Sequence, residues 1–441
     1  MEQDMKKDKR RGVSLGSVLM IALTALVIAL CALFLLAIAG EDVYERTGAL
    51  IRSLSEQGLL SAEEHTPAPS LAPEEAMPEA AAVPAMAAIA QVTPVPAPQT
   101  CAFTLAAAGT VYAPKAVRTS AQDAAGNYDF NGIFAGLGNA LSAADLSIVT
   151  LETTTAGEEK GYGSYNTPPQ ILDALRERGV DFVSLATERA LDKGYDGLEI
   201  TLRELTSRSL SFAGVEDSGA QMLSIGGVQV AVLAYTYGLS DEGREHTNGD
   251  ERGALTLIDA ERMTRDIVSA RLSGANVVIV LPHWGTKNRQ ETPDSVRALA
   301  QTLAQAGADV ILGTHPNVVQ GTERLRVTRS DGLEYDAVVC YSLGSLLTDA
   351  RAPENTAGMV AHLTITYDPA QRRASLGELA CTPLYIASQR EGGQTVYRVV
   401  DVENSAAMAA LEEDERDAAE LAARAVREIT GQSAREEAGE G

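Results

Sequence analysis

Val277-Val278-Ile279-Val280-Leu281-Pro282-His283-Trp284-Gly285 is the stretch on which the fold turns. Five aliphatic residues, mostly β-branched, are too few for a helix. They lack the apolar–polar alternation of a strand with one wet face, so they read as a strand buried on both sides. The run stops at Pro282 and opens onto a histidine and the only tryptophan of the chain. Val310-Ile311-Leu312 repeats the arrangement and leads into Gly313-Thr314-His315-Pro316-Asn317. Between the two lies a helical stretch, Ser295–Ala306.

The same alternation extends in both directions. Leu146–Leu151 reads as a strand after a helical stretch near Ile133–Ala143. Ile171–Arg178 reads as helix, Phe182–Ala186 as strand and Leu198–Arg208 as helix. Val228–Tyr235 is strand-like, and Asp259–Ser273 is helical. Alternating elements of this kind predict α/β layering around a largely buried sheet. Beyond Val319 the pattern turns strand-rich, with Ala337–Tyr341, Val360–Tyr367 and Val396–Val402, which predicts a second sheet or a mixed one.

In such layers ligands bind outside the carboxyl ends of the strands. Four apolar strands end in polar residues: Glu152; Thr187-Glu188-Arg189 with Asp192 beyond; His283; and His315 with Asn317. A lone histidine is usually a packing or surface residue. Two at strand ends, each beside proline, point to a common cleft. There is no Walker loop and no complete Gly-x-Gly-x-x-Gly.

The flanks are of a different character. The chain has 441 residues, 45% hydrophobic and 22% charged, with a formal net charge of −24. That acidity argues against a nucleic-acid partner, whose phosphates must be neutralised by basic residues. Residues 1–17 carry Lys6, Lys7, Lys9, Arg10 and Arg11. Val18–Ala39 is almost wholly apolar and long enough to cross about 30 Å of hydrocarbon. The positive-inside rule predicts a single-pass anchor at 18–39, with the N-terminus cytoplasmic and the rest extracellular. A signal peptide cleaved near Ala37-Ile38-Ala39 is the rival reading; the run exceeds the usual length of such segments. Residues 40–100 form a juxtamembrane stretch and a spacer, which holds 8 of the 17 prolines. Residues 101–402 read as one domain and 403–441 as an acidic, solvated helix and tail. Of the four cysteines, Cys31 falls in the apolar run; Cys340 and Cys381 are open to a bridge or to burial as free thiols.

Several co-linear motifs carry a resemblance. Tyr128-Asp129-Phe130, Ala144-Asp145-Leu146 with Leu151-Glu152, and Leu191-Asp192-Lys193-Gly194 are among them. So are Pro282-His283-Trp284-Gly285, Ala306-Gly307-Ala308-Asp309-Val310-Ile311, His315-Pro316 and Tyr341-Ser342-Leu343-Gly344. Together, from about Leu105 to Leu347, the chain resembles bacterial CapA-type capsule-synthesis or poly-γ-glutamate-biosynthesis proteins. The resemblance implies a calcineurin-like metallophosphatase fold: α/β, two packed sheets flanked by helices, with a metal cleft at strand ends. It also implies a role in making or exporting a cell-surface polymer.

The chain departs from the pattern of that family at the cleft. Gly109-Thr110 stands where the family writes Gly-Asp, and Thr150-Leu151-Glu152 where it writes Asn-Leu-Glu. Ala186-Thr187-Glu188-Arg189 replaces Ala-Asn-Asn-His. Lys287 stands near a usual Glu, and Gly313-Thr314-His315-Pro316-Asn317 replaces Gly-His-His-Pro-His. Only Glu152, His283 and His315 keep a ligand type. Two metals need bridging carboxylates and several imidazoles; a His₂Glu set holds at most one, zinc or manganese. The substitutions move the site toward positive charge. A metal-free site for a carboxylate or phosphate is therefore expected from Arg189, Lys287, His283 and His315, with Glu188 and Asn317 also against the ligand. An inert cleft, with Arg189 paired to Glu188 or Asp192, is the alternative. In a phosphoesterase, Glu152, His283 and His315 would hold the metal, and Asp192 would orient a ligand or support the fold. The accessory reading has as partners the membrane and an anionic surface polymer or its synthase.

Overall fold

The computed structural model describes residues 99–432 apart from 164, 216–218, 329–331 and 333. The expected anchor at 18–39, the spacer up to residue 98 and the end of the acidic tail lie outside the described residues. Among the described residues no helix is long and apolar enough to cross a membrane.

The chain first lays down four parallel strands, β1 (Cys101–Val111), β2 (Leu146–Leu151), β3 (Phe182–Ser184) and β4 (Ser211–Ala213), side by side in that order. Helices α1 (Lys115–Ser120), α2 (Asn131–Phe134), α3 (Gln170–Glu177) and α4 (Gly194–Ser207) connect them. A second sheet follows from β5 (Gln221–Ile225), β6 (Val228–Thr236), β7 (Val277–His283), β8 (Val310–Leu312), β9 (Thr322–Thr328) and β10 (Glu334–Cys340). Its spatial order is β5-β6-β7-β8-β10-β9, parallel in the middle and antiparallel at both edges. Its helices are α5 (Asp241–Glu245), α6 (Ala260–Leu272) and α7 (Asp294–Ala306).

The strand-rich remainder divides between the sheets. After β10, strands β11 (Ser345–Leu347), β12 (Ala357–Asp368), β13 (Arg373–Leu376), β14 (Ala380–Glu391) and β15 (Gln394–Asp401) return to the first sheet. β12 pairs antiparallel with β1. The first sheet is thus mixed, as one of the two sequence expectations had it.

Side-chain alternation along the strands builds the layers. In β6, Val228, Val230, Val232 and Ala234 face the first sheet, in one core with Phe103, Leu105 and Ile148. Ala231, Leu233 and Tyr235 face the other way, toward Met263 and Ile267 of α6 and Ala300 and Leu303 of α7. The outer face of the first sheet packs Ala106, Val149 and Val183 against Ile171, Leu175 and Leu198. Helices, sheet, sheet and helices follow in that order.

The helices form where the sequence caps them. Asp259 accepts the Arg262 backbone N–H at 2.7 Å and starts α6. Pro293 precedes α7, whose buried Val296, Ala300, Leu303 and Ala304 recur at helical spacing. Gly307, at φ 120°, ends it.

The C-terminal segment departs from the solvated helix expected at 405–429. It is two helices, α8 (Ser405–Ala409) and α9 (Glu413–Thr430), broken around the buried Leu411. Ala423 is buried, and Ala419, Ala422 and Val426 are buried with residues of β12 and β14. Three of the six acidic residues of α9, Glu413, Asp414 and Glu415, lie in the first turn, where the helix dipole favours them. An alanine-rich stripe with one valine is weakly hydrophobic on paper, but its small side chains allow close approach to the sheet.

Cys340 and Cys381 are buried, free thiols in the core between the sheets. Burial pushes the Cys381 thiol up to about 12.

Candidate functional site

The parallel strands of both sheets bring their carboxyl ends to one place. Glu152 follows β2, Glu188 and Arg189 follow β3, Tyr237 follows β6, His283 ends β7 and His315 follows β8. Two glycines permit this close packing. A Cβ on Gly313 would collide with the Tyr341 carbonyl and with Nε1 of Trp284, which donates to that carbonyl at 2.9 Å. A Cβ on Gly109 would collide with the Gly344 carbonyl.

Glu188 is the centre of the cluster. Its Oε2 lies 2.7 Å from His283 Nε2 and 3.6 Å from His315 Nδ1, and the two imidazole nitrogens are 3.2 Å apart. The other oxygen, Oε1, lies 2.8 Å from Lys287 Nζ and 3.8 Å from Arg189 Nε. Glu188, His283 and His315 are all buried. Thr314 Oγ1 sits 2.9 Å from His283 Nδ1 and fixes that ring from behind. His315 has φ 94°, an uncommon value outside glycine, and Asn317 two residues on has φ 58°. Strain of this kind persists where the surrounding structure enforces it, commonly at functional sites.

Burial alone would raise the Glu188 carboxyl. Hydrogen bonds from both histidines and the charge of Lys287 instead hold it far below the usual carboxylate range. Burial also pushes His283 down to about 4, against the pull of Glu188.

Glu152 lies elsewhere than the sequence placed it. The sequence places it beside the imidazoles, but its Oε1 contacts Lys287 Nζ at 3.3 Å, and its Oε2 is buried without a hydrogen-bond partner among the described residues. Burial and the nearby Glu188 push its pKa to about 8. Lys287 thus bridges two carboxylates. Burial would lower its pKa, but Glu152 and Glu188 hold it above the usual lysine range.

Arg189 is also occupied. Its Nη1 lies 3.3 Å from Asp192 Oδ2, and its guanidinium stacks 3.8 Å over the Tyr165 ring, which in turn stacks on Tyr112. Asp192 is fully buried and accepts a hydrogen bond from the Ser240 hydroxyl. It positions Arg189 and ties β3 to the loop after β6. The expected surplus of cations is therefore not aimed outward, because Lys287 and Arg189 face Glu152, Glu188 and Asp192. Sequence comparison counts charges gained at a site; it misses carboxylates from other strands that fold onto them.

Asn317 serves the turn instead of the cluster. Its carbonyl accepts from Asn355 Nδ2 at 2.9 Å and from Ser345 Oγ at 3.4 Å. Three residues near the cluster went unread in the sequence. Tyr237, about half exposed, lies tilted against His315 at a centroid distance of 4.5 Å and parallel to the more distant His283 ring. It follows an apolar strand, so the rule that singled out His283 also reached it. Tyr165 sits in a loop with no such signal. Thr314 is a known motif position whose role needed its distance to His283.

Residues 104–350, more than half of the chain, match the sequence family described as bacterial capsule synthesis protein PGA_cap. The chain belongs to this family. Among its relatives are the PGA biosynthesis protein CapA of Bacillus subtilis (strain 168), 27% identical over 191 residues, and the capsule biosynthesis protein CapA of Bacillus anthracis, 26% identical over 188 residues. The matches cover 42% and 41% of this chain, and 46% and 43% of those proteins. The chain thus spans less than half the length of either relative. Similar solved structures include the calcineurin-like phosphoesterase YfkN from Bacillus subtilis, at 12% identity and a TM-score of 0.39. That match covers 74% of this chain and 99% of that one. Similarity at this level bears on neither activity nor ligand.

The residues present do not fit two metal ions, because the Lys287 ammonium already lies between the two carboxylates that could bridge them. They do fit one. A tetrahedral ion with bonds of about 2.0–2.1 Å spaces its ligands about 3.3 Å apart. The Glu188–His283–His315 triangle has edges of 2.7, 3.2 and 3.6 Å.

Proposed function

We propose that this protein serves as an accessory in making or exporting an anionic cell-surface polymer of the capsule or poly-glutamate kind. In this reading residues 18–39 anchor it in the membrane and the domain from 101 onward works outside. It contacts the polymer or the synthase and is not a two-metal phosphoesterase. Family membership supports the polymer role. The observation that carries the accessory reading is the Lys287 ammonium between Glu152 and Glu188, a fixed charge where two-metal chemistry would need an ion.

The test is genetic and chemical. Deleting the gene should abolish the surface polymer, and re-expressing the full chain should restore it. The purified chain should not turn over a phosphodiester with Zn²⁺ or Mn²⁺ present. Normal polymer in the deletion strain would end the polymer role. The second reading, a metal-dependent phosphoesterase at the cell surface, has in its favour the Glu188–His283–His315 cluster. Metal-dependent turnover abolished by His283→Ala would establish it. The topology is tested by a membrane-impermeant thiol reagent on intact cells. A cysteine introduced in the spacer should be labelled, and protection of that cysteine would refute the orientation.

A further inference from the structure

We propose that Glu188, His283 and His315 hold a single divalent transition-metal ion, with Lys287 standing in for a second cation. The inference does not depend on the polymer role. Three ligand atoms from three strand ends form a triangle whose edges, 2.7, 3.2 and 3.6 Å, bracket the spacing a tetrahedral ion imposes. All three side chains are buried, so their orientations are set by packing before any ion arrives.

The surroundings agree. A metal-bound imidazole usually gives its other N–H to a neighbour, which fixes the ring. Thr314 Oγ1 is placed for this, 2.9 Å from His283 Nδ1. His315, at φ 94°, has its Nδ1 3.2 Å from His283 Nε2 and 3.6 Å from Glu188 Oε2. Lys287 contacts Oε1 of Glu188 and leaves Oε2 to the histidines. One carboxylate thus faces an ammonium on one side and the two imidazoles on the other. Two nitrogens and one oxygen suit Zn²⁺; Mg²⁺ and Ca²⁺ prefer oxygen ligands. Three protein ligands leave a fourth position open. Tyr237, about half exposed, lies tilted against His315 with ring centroids 4.5 Å apart.

The experiment is a metal titration of the full chain in detergent, stripped with chelator and desalted. Zn²⁺ should bind at one equivalent by calorimetry. Co²⁺ should give the intense visible bands of a four-coordinate ion. Glu188→Gln and His315→Ala should each weaken Zn²⁺ by more than about 100-fold, beyond the loss typical of an outer partner. Glu152→Gln should leave affinity within a few fold. Lys287→Glu should admit a second equivalent. Circular dichroism checks that each variant folds; if Glu188→Gln does not, the wild-type stoichiometry and Co²⁺ spectrum still decide. No binding at micromolar Zn²⁺, two equivalents in the wild type, or loss with Glu152→Gln but not Glu188→Gln would overturn the proposal. A stoichiometry of one in Lys287→Glu would overturn the role given to Lys287.

Discussion

Lys287→Met removes one ammonium from between two buried carboxylates. Nζ lies 3.3 Å from Glu152 and 2.8 Å from Glu188, whose side chains are 3% and 2% exposed. Removing one partner of a buried ion pair costs roughly 3–5 kcal/mol, because the remaining charge is left without compensation. The lysine side chain is 35% exposed, so water screens part of the interaction. A loss of about 2–3 kcal/mol at pH 8 follows. The loss must depend on pH. Both carboxyls titrate near pH 4.3 in the unfolded chain. Below that, the folded variant can hold both protons and the cost falls to about 1 kcal/mol or less. Above it, the unfolded state releases protons that the lysine-free site must retain, and stability falls as pH rises. In the wild type the two carboxyls act in opposite directions. Glu188, held low, adds stability that is present above its unfolded value. Glu152, raised to about 8, subtracts stability between its unfolded value and pH 8. Urea unfolding followed by circular dichroism at pH 4 and pH 8, with chelator present, reads the difference. Equal losses at the two pH values, or no loss at pH 8, would refute the argument.

Other outcomes follow from the same contacts. Asp192→Ala should cost roughly 3–5 kcal/mol in urea unfolding, since it leaves half-buried Arg189 and buried Ser240 without this acceptor. Gly313→Ala should cost about 3 kcal/mol or more, because the new methyl meets backbone at Tyr341 and the Trp284 ring; a neutral effect would show that the strand ends can spread. Val426→Ala should cost about 2 kcal/mol, and no loss would return α9 to the status of a solvated arm. Cys340 and Cys381 should resist a thiol reagent in the folded protein and react in denaturant, where non-reducing mass analysis should find no bridge between them.

Several residues of the recognised motifs turn out to hold the scaffold. Asp309 accepts the Val278 backbone N–H at 2.7 Å and pins β8 to β7. Asp145 accepts both the backbone N–H and the hydroxyl of Thr104 at 2.8 Å, which fixes the start of β2 against β1. Ser342 donates to the Val318 carbonyl at 2.7 Å beneath the His315 turn. A motif residue next to a strand end is therefore as often a staple as a reactant. The sequence offered no means of separating the two at Asp192, which is fully buried and positions Arg189.

Local patterns were enough for the layers. Apolar runs marked β2, β6, β7 and β8 to within a residue or two, because strands buried on both faces have no other composition open to them. The same logic put His283 and His315 at the carboxyl ends of neighbouring strands. The choice of carboxylate was decided only in three dimensions. Glu188 and His283 are 95 positions apart, and nothing local shows that Glu188 meets the imidazoles while Glu152 meets Lys287. Charge state followed the same division. The cations at 189 and 287 were visible as residues, but their neutralisation by three buried carboxylates depends on distance and burial. Residue type fixes what a side chain can carry; the packed strands of two sheets decide what each one faces.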